Sequence, residues 1–122
     1  MEQKEGVVII ATHAGEDPER ATFPFVMGNA ALAMDEKAIV VLQGCAVFLG
    51  KKGYAESVHA GGFDPLTKLM GTFLELGGRI LVCSPCIKER NIDPSDLIEK
   101  SEVIAGATVI AECCKANAVL NY

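Results

Sequence analysis

Three stretches of this sequence hold at least four consecutive apolar residues instead of alternating: Gly6-Val7-Val8-Ile9-Ile10-Ala11-Thr12, Ala38-Ile39-Val40-Val41-Leu42 and Arg79-Ile80-Leu81-Val82-Cys83. A strand with one face in water alternates apolar and polar residues. A short run rich in β-branched residues with no alternation is a strand covered on both faces, the situation of a parallel sheet flanked by helices. Ala118-Val119-Leu120 supplies a last strand and Glu102-Val103-Ile104 a further short one. Between the strands the period changes. Phe23, Met27, Ala30, Ala31 and Met34 share one helical face, as do Leu66, Leu69, Met70, Phe73 and Leu74. Alternating strands and helices imply βαβ crossovers, so the expected architecture is a three-layer α/β/α sandwich on a mostly parallel sheet of about five strands. A chain of 122 residues fits a single domain spanning 1–122.

Local punctuation sharpens some boundaries. Asp64-Pro65 reads as an N-cap followed by proline at the first helical position, and Gly77-Gly78 as the stop of the same helix. Pro24 either opens the first main helix or lies inside one that starts after Asp17-Pro18. Between Gly44 and Gly62, five glycines and a weak period suggest a long, partly mobile loop of the kind that borders a site.

Charge and composition narrow the function classes. With 11 basic and 16 acidic residues the net charge is −5, and no lysine–arginine cluster provides the footprint of nucleic-acid or anionic-membrane binding. No apolar run approaches the roughly 18 residues of a spanning helix, and Met1-Glu2-Gln3-Lys4-Glu5 lacks a basic leader. The expectation is therefore a cytoplasmic protein without membrane insertion. In that reducing compartment five cysteines, an odd number, do not make a disulfide framework and leave at least one thiol free. The 50% apolar content also suggests a homo-oligomer.

In open parallel sheets reacting groups gather at the carboxyl ends of the strands. Thr12-His13, Gln43-Gly44-Cys45 and Cys83-Ser84-Pro85-Cys86 follow the three strong strands. In the last, Ser84 is placed to cap a helix whose first turn begins at Pro85, leaving Cys83 and Cys86 near unpaired backbone N–H groups. Such a position, with cations nearby, can bring a cysteine from about 8.5 into the range of roughly 3.5 to 7.5. Lys88 and Arg90 stand close by in sequence. Cys83 and Cys86 are the candidate catalytic thiols, and a C-x-x-C is equally compatible with a persulfide carrier and a redox dithiol. The bland alternative is two small core residues at a turn. One C-x-x-C, an isolated Cys45 and two scattered histidines fall short of a closed zinc set, so neither metal nor cofactor is expected.

Accessory positions are weaker. His13 could hold or protonate a sulfur species, although loop histidines are more often surface residues. Cys45 could act as a relay thiol if the edge loops meet. Arg90 and Lys88 either tune a thiolate, dock an acidic partner or simply face solvent. His59 reads as solvated, and Cys113 and Cys114, spaced three and four from Ile110, read as the core stripe of the last helix.

Two segments carry a resemblance: Ala11-Thr12-His13-Ala14-Gly15-Glu16-Asp17-Pro18-Glu19-Arg20-Ala21, and Cys83 followed by Cys86, Arg90, Asn91 and Ile92. Over nearly the whole chain the sequence resembles the DsrE/DsrF-like family of sulfur-relay proteins. The resemblance implies a persulfide-bearing cysteine at Cys83, with a counterpart of Cys86 in only some members. It also implies a three-layer α/β/α fold, trimers or hexamers, and a TusA-like sulfur-carrier protein as partner. Other members are named peroxiredoxins, which keeps dithiol redox chemistry open, as is a non-catalytic oligomeric binding module. Asn91 stands where many relatives have glycine, and Cys45 where no cysteine is expected.

Overall fold

The computed structural model describes residues 4–122. The continuous apolar runs are strands β1 (Val7–Ala11), β2 (Ala38–Leu42) and β3 (Arg79–Cys83), joined by β4 (Ser101–Ile104) and β5 (Ala118–Asn121). Their order is β4-β3-β2-β1-β5, and every neighbouring pair is parallel. The three fully covered strands are the central ones. The two that read weakly are the edges, where two of the four residues of β4 and three of the four of β5 are exposed and a continuous apolar run has no reason to exist.

Four helices connect them: α1 (Pro18–Ala33), α2 (Leu66–Glu75), α3 (Ser84–Glu89) and α4 (Gly106–Lys115). Ile9, Val40, Leu42, Ile80 and Val82 pack on one sheet face against Phe25 of α1, Phe73 of α2 and Ile87 of α3. Val8, Ile10, Val41 and Leu81 point the other way and pack with Val109, Cys113 and Ala116 of the α4 region. The result is a three-layer α/β/α sandwich with a thick layer and a single-helix layer. Phe25 and Phe73, both fully buried, meet edge to face at 5.6 Å, and each such side chain contributes about 1.5–3 kcal/mol by leaving water.

Several expectations need correction. In α1, Asp17 caps the helix by accepting from the Arg20 amide at 3.2 Å, Pro18 opens it and Pro24 lies inside it. The face that docks is Ala21, Thr22, Pro24, Phe25 and Gly28, whereas Met27 is 42% and Met34 76% exposed. Beside the buried Phe25, small residues let α1 approach the core: the position of a β-carbon on Gly28 lies 2.7 Å from the Phe73 ring. In α2, Pro65 occupies the cap position with no side-chain cap and the helix starts at Leu66. Its end is as expected. Gly77 takes φ +94°, and the amides of Gly77 and Gly78 donate to the carbonyls of Leu74 and Phe73 at 3.1 and 2.8 Å, a Schellman closure.

The Gly44 to Gly62 segment is not a structureless loop. It contains 3₁₀ turns at Gly44–Gly50 and Tyr54–Ser57, and buries Ala46, Val47, Leu49, Ala55 and Val58. Its outer side is tied down where Ile98 donates to the Gly50 carbonyl and Lys52 to that of Asp96, both at 2.8 Å. In α4, Val109 and half-buried Cys113 face inward, while Ile110 is 64% exposed and Cys114 faces solvent, so Ile110 and Cys114 are not core residues. Among the described residues no helix is long and apolar enough to cross a membrane.

Candidate functional site

Strands β2 and β3 are neighbours in register, Leu42 opposite Val82, so the segments leaving their carboxyl ends start side by side. From β3 the chain turns directly into α3. Cys83 itself occupies the cap position, with Ser84 and Pro85 as the first two helical residues and no side-chain cap bond, which replaces Ser84 as the expected cap. Cap and third helical residue project to the same side, and the Sγ atoms of Cys83 and Cys86 lie 2.7 Å apart. Both are free, half-buried thiols.

From β2 the chain passes through Gly44, whose φ is +55°. A β-carbon there would meet nothing closer than the Thr12 carbonyl at 3.8 Å, so glycine serves the left-handed backbone, not a tight space. That backbone turns the Gly44 amide onto Cys86 Sγ at 3.3 Å. Arg90, the residue that ends α3, closes the site from the other side. Its Nη1 donates to the Cys86 carbonyl at 3.2 Å and its Nη2 lies 4.0 Å from Cys45 Sγ. Asn91 then adopts φ +55°, a left-handed conformation that asparagine tolerates, and the buried Ile92 donates to the Ile87 carbonyl at 2.9 Å. Asparagine thus supplies at this helix end the left-handed turn that glycine most often supplies.

The electrostatics reverse one expectation. Burial pushes the Cys83 thiol above its ordinary value and the Cys86 thiol adds to this; the Cys86 amide and the Arg90 charge pull the other way without prevailing. Burial and the neighbouring thiol thus work against a standing thiolate at Cys83.

Cys83, Cys86, Cys45 and Arg90 are thus brought together, whereas the side-chain partner of His13 is Glu16. The histidine Nδ1 is 2.7 Å from Glu16 Oε2, and the other Glu16 oxygen accepts from the Ala14 amide. Burial pushes the Glu16 carboxyl up, but that amide and His13 hold it below the ordinary carboxylate range. The histidine serves its own loop. His59, exposed, bonds the Phe63 carbonyl at 2.7 Å, and Lys88 faces solvent. Cys113 and Cys114 sit on α4, which covers the other sheet face.

Sequence reasoning missed Gly44 as a donor to sulfur, although a glycine directly after a strand end is a signal for a left-handed turn. It also missed Tyr54, whose hydroxyl accepts from the Gly15 amide at 2.9 Å and whose ring stacks on Phe48 at 5.5 Å, bracing the β1 loop against the 3₁₀ segment. A cavity of about 400 Å³ lies at the opposite, amino-terminal edge of the sheet among Glu5, Lys37, Arg79 and Glu112 and contains no cysteine. Among the described residues no three His, Cys, Asp or Glu side chains are arranged to hold a metal ion. What the cluster offers is sulfur chemistry: two thiols in contact, a third nearby, one backbone donor and one guanidinium.

The fold has solved counterparts. The ychN protein from E. coli superimposes with a TM-score of 0.80 at 18% identity over the full length of both chains. The protein MTH1491 from Methanobacterium thermoautotrophicum gives 0.74 at 16% identity, covering 98% of this chain and all of that one. In sequence, the uncharacterized protein MK0008 of Methanopyrus kandleri is 30% identical over 106 residues, 84% of each chain. The uncharacterized protein MJ0760 of Methanocaldococcus jannaschii is 29% identical over 109 residues, 89% of this chain but only 40% of that protein, so the present chain spans less than half of that relative. The model of the DsrE/DsrF-like family matches residues 5–122, nearly the whole chain: the chain belongs to the DsrE/DsrF-like family.

Proposed function

We propose that this chain is a cytoplasmic sulfur-relay protein that carries sulfane sulfur as a persulfide on Cys83. The observation that carries the reading is the gathering of Cys83, Cys86 and Cys45 around Arg90 and the Gly44 amide at one strand edge. As the Cys83 proton leaves, its sulfur attacks the sulfane sulfur of a donor; the donor's S–S bond breaks, its remaining sulfur keeps the electron pair, and Cys83–S–SH forms. Persulfides are more acidic than thiols, so the loaded sulfur is an anion that Arg90 and the neighbouring amides are suited to stabilise. An acceptor thiolate, for instance on a TusA-like carrier, then attacks the outer sulfur and Cys83 departs as thiolate.

Incubation of the reduced protein with polysulfide, followed by intact-mass measurement, tests this. A gain of one sulfur that disappears in Cys83→Ser supports the reading, and uptake by Cys83→Ser equal to wild type would refute it. The 2.7 Å approach of the two sulfurs favours a second reading, a redox dithiol in which Cys86 closes a disulfide with Cys83. The same spectra separate them, because a dithiol loses two hydrogens and requires both cysteines. A loaded carrier in contact with Cys86 would also discharge by Cys83–S–SH plus Cys86–SH giving the disulfide and H₂S. Cys86→Ser should therefore prolong the persulfide and not prevent it.

A further inference from the structure

The chain has three arginines, and their surroundings differ. Arg20 pairs with Asp17, and Arg79 with Glu102 and Glu112. Arg90, half-buried at the thiols, has no carboxylate within ion-pairing distance among the described residues. Its recorded contacts are a carbonyl and a thiol, the Cys86 oxygen and Cys45 Sγ. A guanidinium offers five N–H donors in a fork that matches planar or tetrahedral anions. Tethering one amino group to the Cys86 carbonyl fixes the orientation and leaves donors uncommitted beside the sulfurs. In a chain of net charge −5, whose general field repels anions, a cation with no carboxylate partner among the described residues, set beside Cys83 and Cys86, is a local reversal of sign.

We infer that Arg90 is a specificity-determining residue: it selects anionic reactants for the Cys83/Cys86 thiols over neutral ones of the same size, and so makes anionic sulfane-sulfur compounds the preferred donors. The inference rests on the reading of these thiols as the reacting groups, and deepens it by naming the charge class of what they meet.

A matched pair of alkylating agents tests it without any sulfur transfer. Iodoacetate and iodoacetamide both react with thiolate by displacement of iodide, but only the first carries a carboxylate. The rates at Cys83 and Cys86 are measured by peptide mapping in the reduced full chain, and the iodoacetate-to-iodoacetamide ratio is compared between wild type and variants. Any change in thiolate population affects both reagents equally and cancels. A single charge about 4 Å away in a partly screened site changes the anion's rate by roughly three- to tenfold. Arg90→Gln is expected to lower the ratio by that factor, and Arg90→Lys to retain most of it. A ratio unchanged in a folded Arg90→Gln, or lowered as much by Arg90→Lys as by Arg90→Gln, overturns the selection by charge.

Wild type alone supplies a second measurement that does not depend on a variant folding. Raising the salt from about 0.01 to about 1 M, which shortens the Debye length from about 30 to about 3 Å, should slow iodoacetate relative to iodoacetamide. Equal salt response of the two reagents refutes the inference. Failure to load sulfur from polysulfide would sink the carrier reading and leave these ratios unmoved, so the two ideas fail separately.

Discussion

Two helical glycines with opposite surroundings give the sharpest test of how the layers are packed. Gly28 lies in α1 and Gly71 in α2. Alanine in place of glycine inside a helix is worth about 1 kcal/mol from backbone propensity alone. At Gly71 a β-carbon would meet nothing within 4 Å, so Gly71→Ala should keep the whole gain. At Gly28 the same atom would stand 2.7 Å from Phe73 Cε1, well inside the 3.5–4.0 Å of a comfortable carbon contact. The ring cannot step aside: it is fully buried, wedged edge-on against Phe25 and seated against Gly78, where a β-carbon would be 2.5 Å from the ring. Overpacking of this kind costs about 1–3 kcal/mol, and the upper part of that range applies where nothing yields. Gly28→Ala is thus expected to lose about 1–2 kcal/mol net of propensity. An unfolding entropy of about 2.1 cal/mol/K per residue over 122 residues converts each kcal/mol to about 4 °C. Melting followed by circular dichroism or calorimetry should show Gly71→Ala up by about 4 °C and Gly28→Ala down by about 4–8 °C. In a Phe73→Leu background, where the clashing ring atom is absent, Gly28→Ala should become neutral or stabilising. A Gly28→Ala protein that melts above wild type, or one that costs the same in both backgrounds, refutes the packing argument.

Two further outcomes follow from the electrostatics. Because burial and the Cys86 thiol raise Cys83, Cys86→Ala should move the onset of Cys83 alkylation to lower pH; an onset unchanged or moved upward would show that Cys86 does not hold the proton on its neighbour. At the sheet edge, Arg79 donates from Nε and Nη2 to the two Glu102 oxygens at 3.0 Å each, and this pairing holds the Glu102 carboxyl below its ordinary value. A depressed carboxylate stabilises the fold above its unfolded pKa and loses that contribution as the pH falls through the folded one. With side chains 45% and 47% exposed, Arg79→Met should cost less than about 1 kcal/mol at neutral pH and low salt, and nothing in acid or high salt. A cost that persists in acid would mean that Arg79 acts through packing.

The core of the sheet was legible because buried parallel strands announce themselves by lack of alternation, and β1, β2 and β3 do so without ambiguity. The helices were less legible for a physical reason that recurs. Apolar periodicity finds the greasy face, but α1 docks with the face that lets backbones come close, and Gly28 and Ala21 weigh little on any hydrophobic count. The same bias placed Ile110 inward on α4, where a single helix spanning the sheet uses only a narrow line of contact. The 3₁₀ segment after β2 was misread because glycines suggest freedom, while Ala46, Val47 and Leu49 between them supply burial. At the site, residue types and strand ends were enough to bring Cys83, Cys86, Cys45 and Arg90 under suspicion. What sequence could not supply was the balance between desolvation and nearby charge at Cys83, which depends on how deeply the sulfur sits.

The hydrogen bond from Gly44 to Cys86 has a use beyond holding the strand edge together. An amide proton directed at a sulfur senses the electron density on that atom, so its magnetic resonance frequency and its exchange with solvent water follow whether the sulfur is free, alkylated or bridged. The protein therefore carries its own gauge of thiol state, in a backbone group that no side-chain substitution short of proline removes.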